Sequence, residues 1–168
     1  MNRIAKFEKV SLKQFKADYE ACFGTCEGAE EAYDKIKLPV RATSGSAGYD
    51  IVSPVDIKLF EGEWMKVPTG LRVKIDDGWV LLILPKSGLG TKHRLQLDNT
   101  CGVIDSDYYG ADNEGHIMIS LSCDSHFDKA AEVSAGKAFV QAIFVPFGIT
   151  SDDDAGGQRT GGFGSTNA

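Results

Sequence analysis

Two aspartates, Asp105 and Asp107, stand two residues apart in the segment Asn99-Thr100-Cys101-Gly102-Val103-Ile104-Asp105-Ser106-Asp107-Tyr108. In an extended stretch such a pair shares one face. Carboxylates placed there accept a proton from water or sit beside a cation; in a turn the same aspartates cap backbone N–H groups. Pro85-Lys86-Ser87-Gly88-Leu89-Gly90 follows directly on an apolar run and joins a cation, a hydroxyl and open backbone N–H groups. That set suits phosphate oxygens, although the segment taken alone reads as a loop. It matches neither the Walker pattern nor the hydrolase nucleophile elbow. Ala47-Gly48-Tyr49-Asp50 is a turn opening into a strand, with a carboxylate at its end. Gln141 is set inside the apolar run Phe139 to Phe144. It needs partners, from strand backbone or a ligand, because an unpaired buried amide costs about 1–3 kcal/mol. Arg159-Thr160-Gly161-Gly162-Phe163-Gly164-Ser165-Thr166 carries a cation, hydroxyls and an aromatic ring on flexible glycines. It either folds over an anionic planar ligand or stays disordered. No helix follows these glycines, so they form no dinucleotide-binding turn.

The elements that must hold these segments are mostly strands. Leu71, Val73 and Ile75 alternate with Arg72 and Lys74, the period of a half-buried strand, and Asp77-Gly78 then predicts a tight hairpin into Trp79 to Leu84. Ile117, Ile119 and Leu121 alternate in the same way, and Ala138 to Val145 reads as a strand buried on both faces. Many short strands with frequent turns predict an antiparallel barrel or sandwich. The first forty residues differ. Val10, Leu12, Phe15, Tyr19 and Phe23 recur at near-helical spacing, with Ser11 and Gln14 fitting a capping box and Gly24 a C-terminal stop. A second short helix is expected over Ala29 to Lys37, ended by Pro39. The predicted organisation is a helical appendage over 1–39, a β-body over 40–150 and a glycine-rich mobile tail over 151–168.

The 168 residues favour one domain. Lys and Arg total 18 against 24 Asp and Glu, and a body this acidic is a poor general binder of nucleic acid. No apolar stretch is long enough to span a membrane, and the N-terminus has no signal-peptide core, so a cytoplasmic protein is expected. Cys22, Cys26, Cys101 and Cys123 are then read as free thiols, and His93, His116 and His126 are too scattered to suggest a metal site.

Together and in this order, AGYD, PKSGLG, NTCGVIDSDYYG, VQAIF and TGGFGST resemble the signature set of the trimeric dUTP diphosphatases (dUTPases), over the chain from about Pro39 to Thr166. The appendage and the sequence around Asp105 most resemble a branch found in some bacteria and their phages. The resemblance implies a mainly β fold, a barrel-like jelly roll with the short N-terminal α-helical appendage, assembled as a homotrimer with shared active sites. It implies hydrolysis of dUTP to dUMP and diphosphate with Mg2+ on the triphosphate, which supplies dUMP and limits uracil in DNA. Asp105 matches the aspartate that deprotonates the attacking water. Lys86, Ser87, Gly88 and Gln141 match phosphate-contacting positions, and Asp50 an acidic residue near the metal, acting through water. A hairpin from Asn99 to Met118 would select the base: backbone groups at Val103, Ile104 and Met118 and the Asn99 side chain meet the uracil edge, while Tyr108 packs on the deoxyribose. Phe163 would stack over the uracil, with Arg159, Gly164, Ser165 and Thr166 closing on the phosphates.

The sequence departs from the family pattern at three positions. Lys86 stands where arginine is usual, which keeps the charge but loses the bidentate fork. Ala138 replaces a common arginine, and Arg159 is one residue nearer the glycines than in the commonest form. Two rival readings remain open on sequence alone. A dCTP deaminase relative would carry a glutamate where this chain has Ser120. A dUTP-binding regulator, in a host cytoplasm if phage-encoded, would use the appendage or the insert Ala111-Asp112-Asn113-Glu114 to contact a protein partner.

Overall fold

A computed structural model describes residues 2–124, 129–157 and 161. The chain is mainly β, as expected. Its strands are β1 (Ala5–Lys9), β2 (Val40–Arg41), β3 (Tyr49–Val52), β4 (Ile57–Leu59), β5 (Trp64–Pro68), β6 (Leu71–Ile75), β7 (Trp79–Pro85), β8 (Leu95–Leu97), β9 (Gly102–Ile104), β10 (Met118–Cys123), β11 (Ala131–Val133) and β12 (Ala138–Pro146). The helices are α1 (Leu12–Phe23), α2 (Ala29–Asp34) and α3 (Ser87–His93), with a 3-10 turn over Ser106–Gly110.

Every described strand pair is antiparallel. One sheet runs β2-β3-β12-β7-β9, a second β5-β10-β8, and β1-β6 and β11-β4 form two-stranded ladders. β12 lies between β3 and β7, and this central place accounts for its near-continuous apolar run. The alternating β6 and β10 turn Leu71, Val73, Ile75, Ile119, Leu121 and Cys123 into the core.

The appendage begins with a strand, which the helical pattern did not predict. β1 pairs with β6 from Ala5↔Ile75 to Lys9↔Leu71. That pairing changes the expected hairpin: Asp77-Gly78 does turn, with Gly78 at φ +79, but β6 and β7 leave the turn for different sheets. Val10, placed on the helical stripe by its spacing, instead precedes the cap as a buried residue. Ser11 is the N-cap and its Oγ accepts from Gln14 N–H at 3.1 Å, while Gly24 closes the helix in the left-handed region. The return half of the capping box is not made by Gln14, whose amide donates to Asp18. The second helix stops at Asp34, three residues short of its predicted end, because Lys35 and Ile36 tighten into i–3 bonds to Ala32 and Tyr33.

Phe15 fixes α1 to the body. It is fully buried, with the rings of Tyr33, Tyr19 and His116 centred 5.5, 5.8 and 6.0 Å away. Gly70, between β5 and β6, makes room for it. Its φ is +71, and a Cβ there would overlap Ile36 Cδ1 and lie 3.2 Å from the Phe15 ring. Truncating Phe15 to alanine is expected to cost about 3–5 kcal/mol, the usual range for a buried aromatic. Urea unfolding checks this, and a loss under about 1 kcal/mol would contradict the packing described.

Candidate active site

The predicted site residues fall into two groups at opposite ends of β7. At its C-terminal end, Gln141 on β12 is paired with Asp50 on β3 on one side and with Leu84 on β7 on the other. Lys86 follows β7 directly, and its Nζ reaches Asp50 Oδ2 at 2.8 Å. Gln141 Nε2 donates to the Pro85 carbonyl at 3.5 Å, and its Oε1 lies 3.2 Å from where a Cβ on Gly48 would be. A side chain at Gly48 would therefore crowd the amide. This gathers the AGYD, PKSGLG and VQAIF segments into one polar cluster. The PKSGLG segment, expected as a loop, opens α3, with Lys86 at its N-cap and Ser87 and Gly88 exposed in its first turn. Of the partners left open by the sequence, the structure shows Gln141 on strand backbone.

The second group surrounds β9. The register Leu81↔Ile104, Leu82↔Val103 and Ile83↔Gly102 puts Asp105 beside the N-terminal end of β7. Lys86 lies six residues further along, which at about 3.3 Å per residue separates the two groups by about 20 Å. Asp105 and Asp107 are exposed. Between the ends lies a cleft of ≈ 180 Å³ lined by Ile83, Leu97, Asp98, Asn99, Gly102, Met118 and Ser120, with Lys66 at its edge. Asn99 and Met118 meet there as expected, and Val103 is half exposed beside it. Asp98 escaped the sequence reading although it adjoins Asn99. Its carboxylate accepts from Ser120 Oγ inside the cleft, at the position where a deaminase would present glutamate.

The Ile104 side chain is buried, which leaves its backbone, the part expected to meet the base. Tyr108 is 2% exposed, its hydroxyl donates to the His116 carbonyl at 2.7 Å, and Asn113 Nδ2 donates to that hydroxyl at 2.8 Å. The ring is buried and its hydroxyl is bonded within the chain. The 99–118 segment is no hairpin, since β9 pairs with β7 while β10 pairs with β5 and β8. Gln158 to Thr160 and Gly162 to Ala168 lie outside the described residues, and with them Arg159, Phe163, Gly164, Ser165 and Thr166.

The insert after Gly110 faces inward to the appendage. Glu114 takes up Ser11, accepting its N–H at 2.7 Å and its hydroxyl at 2.6 Å, and so supplies the missing half of the capping box. His116, wholly buried, is 2.5 Å from Asp18 through Nδ1, and its Nε2 is 2.8 Å from Gly70 N. The amide can only donate, so Nε2 accepts and the ring proton sits on Nδ1, directed at Asp18.

The comparisons decide the family. The dUTPase family model matches residues 34–167. This chain belongs to the dUTPase family. The deoxyuridine 5'-triphosphate nucleotidohydrolase of Lactococcus lactis subsp. lactis is 39% identical over 136 residues, which is 79% of this chain and 89% of that relative. A dUTPase from Streptococcus mutans superposes with a TM-score of 0.61 at 35% identity, covering 70% of this chain and 91% of its own. A point mutant of the dUTPase from Staphylococcus aureus phage phi11, described as coordinating a structural Mg(II) ion, superposes with a TM-score of 0.64 at 17% identity, covering 92% of this chain and 98% of its own. That last cover exceeds residues 39–168 alone, so the shared fold takes in part of the appendage of this dUTPase. Among the described residues no helix is long and apolar enough to cross a membrane.

The appendage contacts carry a pH signature. Burial opposes the charged form of Asp18, but bonds from His116 and Gln14 hold its carboxyl below the ordinary 3.8. The Ser11 hydroxyl and N–H hold Glu114 below its ordinary 4.5. A depressed folded pKa gives stability that is complete above the unfolded value and is lost as pH falls through the folded one. Unfolding free energy is therefore expected to fall more steeply below pH 4.5 in the wild type than in Asp18→Asn or Glu114→Gln. Equal slopes in urea titrations across that range would show that neither pair forms.

Proposed function

We propose that this chain hydrolyses dUTP to dUMP and diphosphate as a homotrimer, with each active site built across subunits. The observation that carries the shared site is the separation along β7. Asp105 and the Lys86 cluster are too far apart in one chain to act on the same phosphorus, and a rotated copy brings them together. Lys86 Nζ, the Ser87 hydroxyl, the Gly88 N–H and the Gln141 amide are all donors, and they receive the phosphate oxygens of one nucleotide. Asp105 from a neighbouring copy holds a water in line with the α-phosphorus and takes its proton as the O–P bond forms; the bond to the leaving diphosphate breaks on the opposite side.

Selection of the base follows from the cleft. Asn99 and the backbone around Gly102, Val103 and Met118 offer a fixed donor and acceptor pattern to the uracil edge. Cytosine would leave polar groups unpaired, while exclusion of a 5-methyl group and of a 2′-hydroxyl is what the family resemblance implies. The tail segment from Arg159 to Thr166 closes over the bound nucleotide, with Phe163 on the base and Arg159, Gly164, Ser165 and Thr166 on the phosphates. This excludes water and aligns the chain of phosphates.

The family implies Mg2+, and the residues present fit it in one particular way. Among the described residues no group of three His, Cys, Asp or Glu could hold a metal. Mg2+ needs none, because it keeps several waters and sits on substrate phosphates beside one or two carboxylates. Asp50 is the carboxylate nearest the phosphate cluster and would hold it through water. When bound, the ion neutralises charge that builds on the leaving diphosphate.

Asp105→Asn is expected to keep dUTP binding and the trimer while diphosphate release falls by about 10²–10⁴-fold. Near-wild-type turnover would remove Asp105 from this role. The wild type should prefer dUTP over dCTP, dTTP and UTP and release no ammonia from dCTP; ammonia would instead mark deaminase chemistry.

A further inference from the structure

The stretch between β9 and β10 has no ladder of its own, because those strands belong to different sheets. It runs from Asp105 to Ile117, between the exposed carboxylate and the cleft-lining Met118. Its backbone bonds are local turns, apart from those of Ile117 with Leu71 and Thr69, so side chains add the long-range contacts that offset backbone freedom of about 1–2 kcal/mol per residue. The N-terminal segment supplies the fixings at three separate points. Glu8 on β1 accepts from the Tyr109 hydroxyl at 2.6 Å. Arg72, on the strand that β1 pairs with, lies 3.6 Å from the Tyr109 ring centroid and donates to the Tyr109 carbonyl at 2.8 Å. Ser11 binds Glu114 through both its N–H and its hydroxyl. Asp18 on α1 accepts from the buried His116.

These points connect to Asp105 through short paths. Asp18 orients His116, the His116 carbonyl accepts the Tyr108 hydroxyl, and Tyr108 closes the 3-10 turn whose first N–H groups follow Asp105. Gly115 packs so closely under this turn that a Cβ on it would lie 2.6 Å from the Tyr108 carbonyl oxygen. The loop is thus pinned from β1 and α1, and from β6 through Arg72.

We propose that the N-terminal segment is a clamp that holds the Asp105–Met118 loop in its working geometry, with Asp18 and Glu114 as positioning residues for the water-activating aspartate. The proposal rests on the dUTP-hydrolase reading above. It is distinct from surface decoration, because it makes the rate of the chemical step depend on residues that touch neither nucleotide nor Asp105.

The test compares full-length Asp18→Ala and Asp18→Asn with the wild type. Asn keeps an oxygen that accepts the Nδ1–H of His116; Ala does not. Asp18→Ala is expected to lower kcat about tenfold or more with KM for dUTP within about twofold, since a displaced base slows chemistry more than binding. Asp18→Asn should return kcat to within about twofold of wild type. Amide hydrogen exchange across 106–116 should rise in the alanine variant and not in the asparagine one. Glu30→Gln, which loosens only the exposed α1–α2 ion pair with Lys16, should change neither readout. Where Asp18→Ala gives no trimer, Tyr109→Phe, which removes only the hydroxyl on Glu8, carries the same two expectations. Wild-type kcat in the alanine variant, or equal losses in both Asp18 variants with unchanged exchange, would overturn the clamp. A wild-type protein that releases no diphosphate from dUTP would instead refute the hydrolase reading; exchange alone then decides whether the loop is clamped.

Discussion

The pairing of β9 along β7 sets the geometry on which the rest of this protein depends. Backbone hydrogen bonds fix Ile104 opposite Leu81, so Asp105 leaves the sheet at the start of β7. The same strand ends at Pro85, and Lys86 departs from the other end. A ladder register cannot slip by one residue without turning every buried side chain outward. The distance between the aspartate and the phosphate cluster is therefore as rigid as the core. On the proposed reading only a second copy shortens it, which would make association of the chain a condition of chemistry.

Polar pairs are then distributed according to what must move and what must stay. Lys86 and Asp50 are 36% and 41% exposed, and an ion pair this open contributes about 0–1 kcal/mol. On the proposed reading, phosphate oxygens would take the lysine from the carboxylate at small cost, leaving Asp50 to face a hydrated cation. His116 is fully buried, and leaving one of its ring nitrogens unpaired costs about 1–3 kcal/mol. It holds Gly70, Asp18 and the loop together and has no reason to open during turnover. The weak pair stands at the proposed phosphate site, and the costly one where the appendage meets the loop.

Much of this was legible in the chain. Alternation gave β6 and β10, a continuous apolar run gave β12, and Ser11 with Gly24 marked the ends of α1. The five segments, in their order along the chain, point to the family on their own. What escaped has identifiable causes. β1 is short and charged, and its strand character comes from pairing with β6 rather than from its own residues. The Asp77-Gly78 turn has the chemistry of a hairpin, but β7 pairs on both edges with β12 and β9 while β6 pairs with β1. Tyr108 matched a family position by sequence, yet burial of its hydroxyl on His116 depends on an insert that no local pattern describes. The contacts of Glu114 with Ser11 and of His116 with Asp18 join residues about a hundred positions apart and leave no local trace.

The central claim is that Asp105 and Lys86 act from different subunits. Asp105→Asn and Lys86→Ala trimers, each inactive alone, can be unfolded, mixed in equal amounts and refolded together. Random assembly places an intact aspartate against an intact lysine in about a quarter of the sites, if each site draws them from neighbouring copies in a closed ring. The account predicts that the mixture recovers about that fraction of wild-type dUTP hydrolysis. A mixture as inactive as its parents would contradict it, because a site held within one chain always carries one of the two substitutions.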